Sequence, residues 1–115
     1  MISLTAVIRC KPGATALIRD ALKKVAEFAT KNEPGTVSYF LAEANDGVFI
    51  THERYLDQQA LDAHNEGKGA KGFFAHAEGS LGKIEVYTGP EIFPGEGLKS
   101  AERLRSEADC RSPRA

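Results

Sequence analysis

The chain has 115 residues, enough for one domain whose core needs no disulfide staples. Fifteen basic against 16 acidic residues leave a formal net charge of −1, which gives no basic field for nucleic acid or an anionic membrane surface. No apolar run is long enough to span a bilayer, the N-terminus lacks a secretory pattern, and Cys10 and Cys110 build no disulfide framework, so free thiols in a reducing cytoplasm are the expectation.

Residues 2–11 alternate, with Ile2, Leu4, Ala6, Ile8 and Cys10 on one face and Ser3, Thr5, Val7, Arg9 and Lys11 on the other, which predicts a strand. Pro12-Gly13 ends it. Over 14–32 the residues Leu17, Ile18, Ala21, Leu22, Val25, Phe28 and Ala29 form one helical stripe, and Pro34-Gly35 stops that helix. A second strand at 36–43 and a third at 48–55 are joined by Ala44-Asn45-Asp46-Gly47, which has the chemistry of a hairpin turn. Asp57 is a good N-cap for a helix over 57–66. Gly67, Gly69 and Gly72 are expected to break it, with a short helical turn at 70–80 and a fourth strand at 83–88 ended by Gly89-Pro90.

The order β-α-β-β-α-β predicts an α+β, ferredoxin-like antiparallel sheet with its helices on one face. Residues 1–94 form the expected domain; 95–115 read as a tail with a thin helical stripe at Leu98, Ala101, Leu104 and Ala108. Both faces of the second and third strands are half apolar, since Phe40 and Ala42 oppose Tyr39 and Leu41, and Val48 and Ile50 oppose Phe49 and Tyr55. Helices cover only one face, so the other predicts a homodimer with sheets packed face to face.

Among the residues able to do chemistry, His64 is the first candidate. It shares a helix face with Ala60 and Leu61, beside the apolar seam, and an imidazole titrates near neutral pH. His52 is a second candidate. It alternates with Glu53, so the two face opposite sides of their strand; His52 goes with Arg54, and Glu53 with Thr51 and Tyr55. His52 and Arg54 would suit an anionic oxygen, whereas Glu53 reads as a structural carboxylate at the turn or the dimer seam. Tyr39, Tyr55 and Phe73 are candidate substrate contacts, although core packing with a satisfied hydroxyl is the stronger reading for each tyrosine. Gly67-Lys68-Gly69-Ala70-Lys71-Gly72 spells G-x-G-x-x-G, but it follows a helix in an antiparallel plan and so lacks the dinucleotide-binding context; a flexible pocket lid is the plainer reading. His52, His64 and His76 sit on separate elements without metal-ligand spacing, so no metal is expected.

Three segments, Glu33-Pro34-Gly35-Thr36-Val37-Ser38-Tyr39, Glu53-Arg54-Tyr55 and Ala60-Leu61-Asp62-Ala63-His64, resemble the antibiotic biosynthesis monooxygenase (ABM) domain family. That family carries an E-x-G-x-x-x-Y segment, an acidic strand end followed by an aromatic residue, and an A-h-x-x-H helix, where h is apolar. The likeness spans roughly residues 2–90. It implies a dimeric α+β barrel and a cofactor-independent monooxygenase acting on a small quinol or phenol, with His64 taking the substrate proton. Other branches imply an isomerase-like enzyme on a small phosphorylated or oxygenated metabolite, held by Arg54, Lys68 and Lys71. A non-enzymatic, dimeric ligand-binding protein is the third reading. Two departures stand out: Gly69 replaces a second histidine found in many members, and the chain has no tryptophan, which the haem-degrading members use.

Overall fold

A computed structural model describes residues 1–93. The elements are β1 (Ile2–Cys10), α1 (Thr15–Asn32), β2 (Thr36–Ala44), β3 (Val48–Tyr55), α2 (Gln58–Glu66), α3 (Lys68–Ala77) and β4 (Leu81–Pro90), with a 3-10 turn at Asn45–Gly47. Every neighbouring pair in the sheet β2-β3-β1-β4 is antiparallel. This is the ferredoxin-like α+β plan that the element order predicts. The tail helix expected near 98–108, and Cys110, lie outside the described residues.

Alternation along the strands decides what each face meets. Leu4, Ala6, Ile8, Phe49 and Tyr55 turn toward the helices and form the core with Ile18, Ala21, Leu22, Val25, Leu61, Phe73 and Ala77. The α1 stripe packs as its period predicts, except that Leu17 is exposed and Phe28 only half-buried. The opposite sheet face is uncovered among the described residues. It carries Phe40 and Tyr87, 66% and 61% exposed, with half-buried Val7, Val48 and Ile50.

Local chemistry sets the joints. In the β2–β3 turn, Asp46 (φ 60°) and Gly47 (φ 71°) both take the left-handed conformation. A side chain at residue 47 would also press on Cys10 Sγ, at 2.9 Å. The Asp57 carboxylate caps α2 by accepting from the Ala60 amide at 2.8 Å. At Gly35 the constraint is space. Its backbone lies so close to α2 that a methyl there would collide with Ala60 Cβ and approach Ala60 Cα to 3.3 Å.

Two sequence expectations are corrected. The glycine-rich stretch is not a loop or lid: only Gly67 is a break, and Gly69 and Gly72 lie inside α3. Helix α3 packs on α1 through the Phe28 ring, and a Cβ at residue 69 would lie 2.8 Å from Phe28 Cδ1. Gly69 is therefore the small residue that lets two helices meet. Strand β4 also runs through Gly89 and Pro90, which pair with Ser3 and Ile2. As an edge strand it tolerates a proline that donates no ladder hydrogen bond.

These glycines make opposite predictions. Gly35→Ala should destabilise by about 1–3 kcal/mol through overpacking against α2. Gly72→Ala meets no atom within 4 Å. It should stabilise α3 by about 0.5–1 kcal/mol, because alanine loses less backbone entropy than glycine. Urea unfolding of the two variants checks both signs.

Candidate active site

Between the sheet and the helices lies a cavity of about 110 Å³. Its walls are apolar, from Leu4, Ala6, Ile8, Leu22, Val25 and Phe73, and its polar contributors include Tyr39, Thr51, Glu53 and His64. Exposed Asn65, Phe74 and Val86 mark its solvent side. Phe74 meets Phe73 edge to face, with ring centroids 5.2 Å apart.

His64 reaches this cavity because α2 is docked at Ala60, four residues and one turn earlier on the same face. Its ring is buried. Nδ1 lies 2.7 Å from Glu33 Oε1, and Nε2 lies 3.7 Å from Glu53 Oε1, on the cavity side. The Tyr39 and Tyr55 rings flank it at centroid distances of 5.9 and 5.2 Å.

Each carboxylate is held by its own donors. The buried Glu53 accepts from the Tyr55 hydroxyl and, at 2.5 Å, from Thr51 Oγ1. Hydrogen bonds to a charged acceptor are worth about 1.5–3 kcal/mol each, which offsets much of the desolvation of the carboxylate. Glu33 follows the last turn of α1, where Pro34 biases it toward extended backbone; it takes φ −117°, ψ 94°. Thr36 Oγ1 donates to Glu33 Oε1 at 2.8 Å. A register shift in β2 between Thr36 and Ser38 inserts one extra residue. Thr36 and Tyr39, which strict alternation would separate, thereby serve the same side. Neither the bulge nor the Glu33 contact has a periodic signal in the sequence; the E-x-G-x-x-x-Y wording was the only clue to Glu33.

The other candidates divide between the two sheet faces. Phe73 and Tyr39 line the cavity, while Tyr55 is buried beneath it and supports Glu53. Glu53 itself faces the helices, on the cavity side of the sheet with Thr51 and Tyr55. His52 lies on the open face, with Nδ1 3.4 Å from Thr5 Oγ1, and cannot share a site with His64 in this subunit. Arg54 is also on that face, held in a two-pronged ion pair with Glu91 at 2.6 and 2.9 Å. The Arg54 partnership holds the Glu91 carboxyl below its ordinary range. Lys68 and Lys71 are exposed on α3, so the structure does not gather the three cations into one anion site. Among the described residues, no group of three or more histidine, cysteine, aspartate or glutamate side chains is arranged to hold a metal ion.

This constellation joins the three sequence segments, and the antibiotic biosynthesis monooxygenase family profile matches residues 1–76. The chain belongs to that family. Among solved structures, ABM-fold relatives superpose closely. A provisionally named antibiotic biosynthesis monooxygenase from Nitrosomonas europaea has a TM-score of 0.73 at 16% identity, covering 80% of this chain and 99% of that one. A similarly named Caulobacter crescentus protein has a TM-score of 0.74 at 22% identity, covering 79% and 89%. A Mycobacterium tuberculosis protein has a TM-score of 0.72 at 25% identity, covering 79% and 94%. No curated protein matches the chain by sequence. No helix among the described residues is long and apolar enough to cross a membrane.

The ABM site predicts an unusual alkaline titration. Burial first, then the Glu53 charge, raises Tyr39 and Tyr55 far above the ordinary phenol range. A phenol raised on folding adds stability below its unfolded pKa of about 10, and that stability drains away as pH rises further. Tyr87 is also raised, by its hydrogen bond to Glu85, but it is exposed, and of the three tyrosines it alone should ionise while the chain stays folded. Tyrosinate absorbance followed with circular dichroism should show one early proton, then two released together with unfolding.

Proposed function

We propose that this protein is an ABM-type monooxygenase that oxidises a small phenol or quinol with dioxygen, using His64 as the base and no cofactor. The observation that carries the reading is a buried imidazole whose unbonded nitrogen faces an otherwise apolar cavity beside Glu53. An apolar chamber favours an aromatic ring, and a cavity of about 150 Å³ holds benzene. At about 110 Å³ this one is on the scale of a single ring. Larger substrates would have to displace Phe74 or Asn65 at the solvent side.

In the proposed reaction, the substrate hydroxyl passes its proton to His64 Nε2. The resulting electron-rich anion reduces dioxygen and then bonds one oxygen atom at a ring carbon bearing hydrogen. Loss of water from the hydroperoxide leaves a carbonyl. One phenol and one dioxygen thus give one quinone and one water, with every electron coming from the substrate. Tyr39 and Phe73 orient the ring. We place His52 outside this chemistry, on the face that a second subunit would cover; exposed Phe40 and Tyr87 support a homodimer there. A phosphorylated substrate fits poorly, because the cavity presents a carboxylate and Arg54 is already paired.

Oxygen uptake by the metal-stripped protein, run against single-ring and fused-ring phenols, tests the proposal. Single-ring compounds should turn over fastest, and His64→Ala should lower the rate by about 10²-fold or more. A His64→Ala protein with unchanged turnover would sink the mechanism. Ring binding without oxygen uptake would replace it with the ligand-binding reading.

A further inference from the structure

We infer that Glu33, outside the cavity wall, is the positioning residue that sets the tautomer of His64. It keeps the ring proton on Nδ1 and leaves Nε2 as the nitrogen that takes a proton from the cavity side. The inference rests on the proposed base role of His64 for its consequence, though not for its geometry.

Three observations converge. The two ring nitrogens meet different surroundings. Nδ1 has a carboxylate oxygen at hydrogen-bond distance, 2.7 Å, whereas Nε2 has Glu53 Oε1 at 3.7 Å, too far for a hydrogen bond. A carboxylate accepts and cannot donate, so the neutral ring satisfies Glu33 only with its proton on Nδ1. Glu33 does not line the cavity and Glu53 does, which places the acceptor nitrogen on the substrate side.

Glu33 is also built for a fixed position. Its amide donates to the Ala29 carbonyl at 3.2 Å and its carbonyl accepts from the Thr36 amide at 3.1 Å. Thr36 Oγ1 pins Oε1 from the bulged strand. Its other carboxylate oxygen, Oε2, is buried without a partner among the described residues. A carboxylate left one donor short in a dry setting gains most from a neighbour that becomes positive. When His64 takes a proton, the imidazolium stands between Glu33 and Glu53, the two carboxylates that face it, with Tyr39 and Tyr55 as its titratable aromatic neighbours. Glu33 thus selects the accepting nitrogen and stabilises the charge that forms on the ring.

Nitrogen-15 NMR of the three histidines across pH, with His64 assigned by its loss in His64→Ala, tests this without turnover. As His64 loses its imidazolium proton in the wild-type chain, Nε2 should take the unprotonated signature and Nδ1 keep its proton. Glu33→Leu, which removes the acceptor from Nδ1, should move the neutral proton toward Nε2. On an accepted phenol the same variant should lower kcat on the order of 10²-fold with KM little changed. Glu33→Asp should recover part of the tautomer preference. A wild-type ring protonated on Nε2, or a Glu33→Leu ring with an unchanged tautomer, overturns the assignment. If Glu33→Leu does not fold, the wild-type titration alone decides. Absence of oxygen uptake with the expected tautomer would remove the proposed reaction and leave the Glu33 assignment standing.

Discussion

The close approach of Gly35 to Ala60 is the constraint on which the site depends. It fixes where α2 lies against the start of β2, with no Cβ in the way. His64 follows Ala60 by one helical turn on the same face, so this contact also decides where the imidazole arrives. Glu33 stands two residues before the glycine. The E-P-G segment therefore acts as a unit: Pro34 favours an extended Glu33, and Gly35 admits the helix that carries its partner.

Around that contact the molecule solves a problem of buried charge. A carboxylate and an imidazole, Glu53 and His64, are buried beside the apolar core with the part-buried Glu33 against them, which would be costly if any were isolated. Thr51 and Tyr55 satisfy Glu53, Thr36 serves Glu33, and His64 stands between them. In the proposed reaction the same network would receive the proton that the substrate gives up. The open face differs in kind. There Arg54 is matched by Glu91, and Phe40 and Tyr87 present apolar surface that the described residues leave uncovered.

Much of this architecture was legible in the residue order. Alternation in 2–10 and 48–55 identified which residues share a face of each strand, and hence that His52 and Glu53 cannot share a pocket. The helical period of 15–32 and the cap at Asp57 marked α1 and α2. The glycine-rich segment misled because single glycines in a short helix look like breakers. Helix α3 forms because tertiary packing of Phe73 and Ala77 outweighs propensity, and because Gly69 is required where α1 crosses. Alternation says which residues share a face but not which face the helices choose, so the surroundings of Glu53 come only from the fold.

By itself, then, the sequence determined the order of elements, the hairpin, the alternating faces and the placement of His64 beside an apolar seam. Each of these is a local property, set by periods of two or 3.6 residues and by turn and cap chemistry. Only the tertiary structure decided that Glu33 and Glu53 meet opposite sides of one imidazole, that a bulge brings Thr36 to the same place, and that Arg54 is paired with Glu91. Those pairings join residues up to 37 positions apart. They depend on strand register and helix docking, where a shift of one residue or a single added methyl changes which side chains touch.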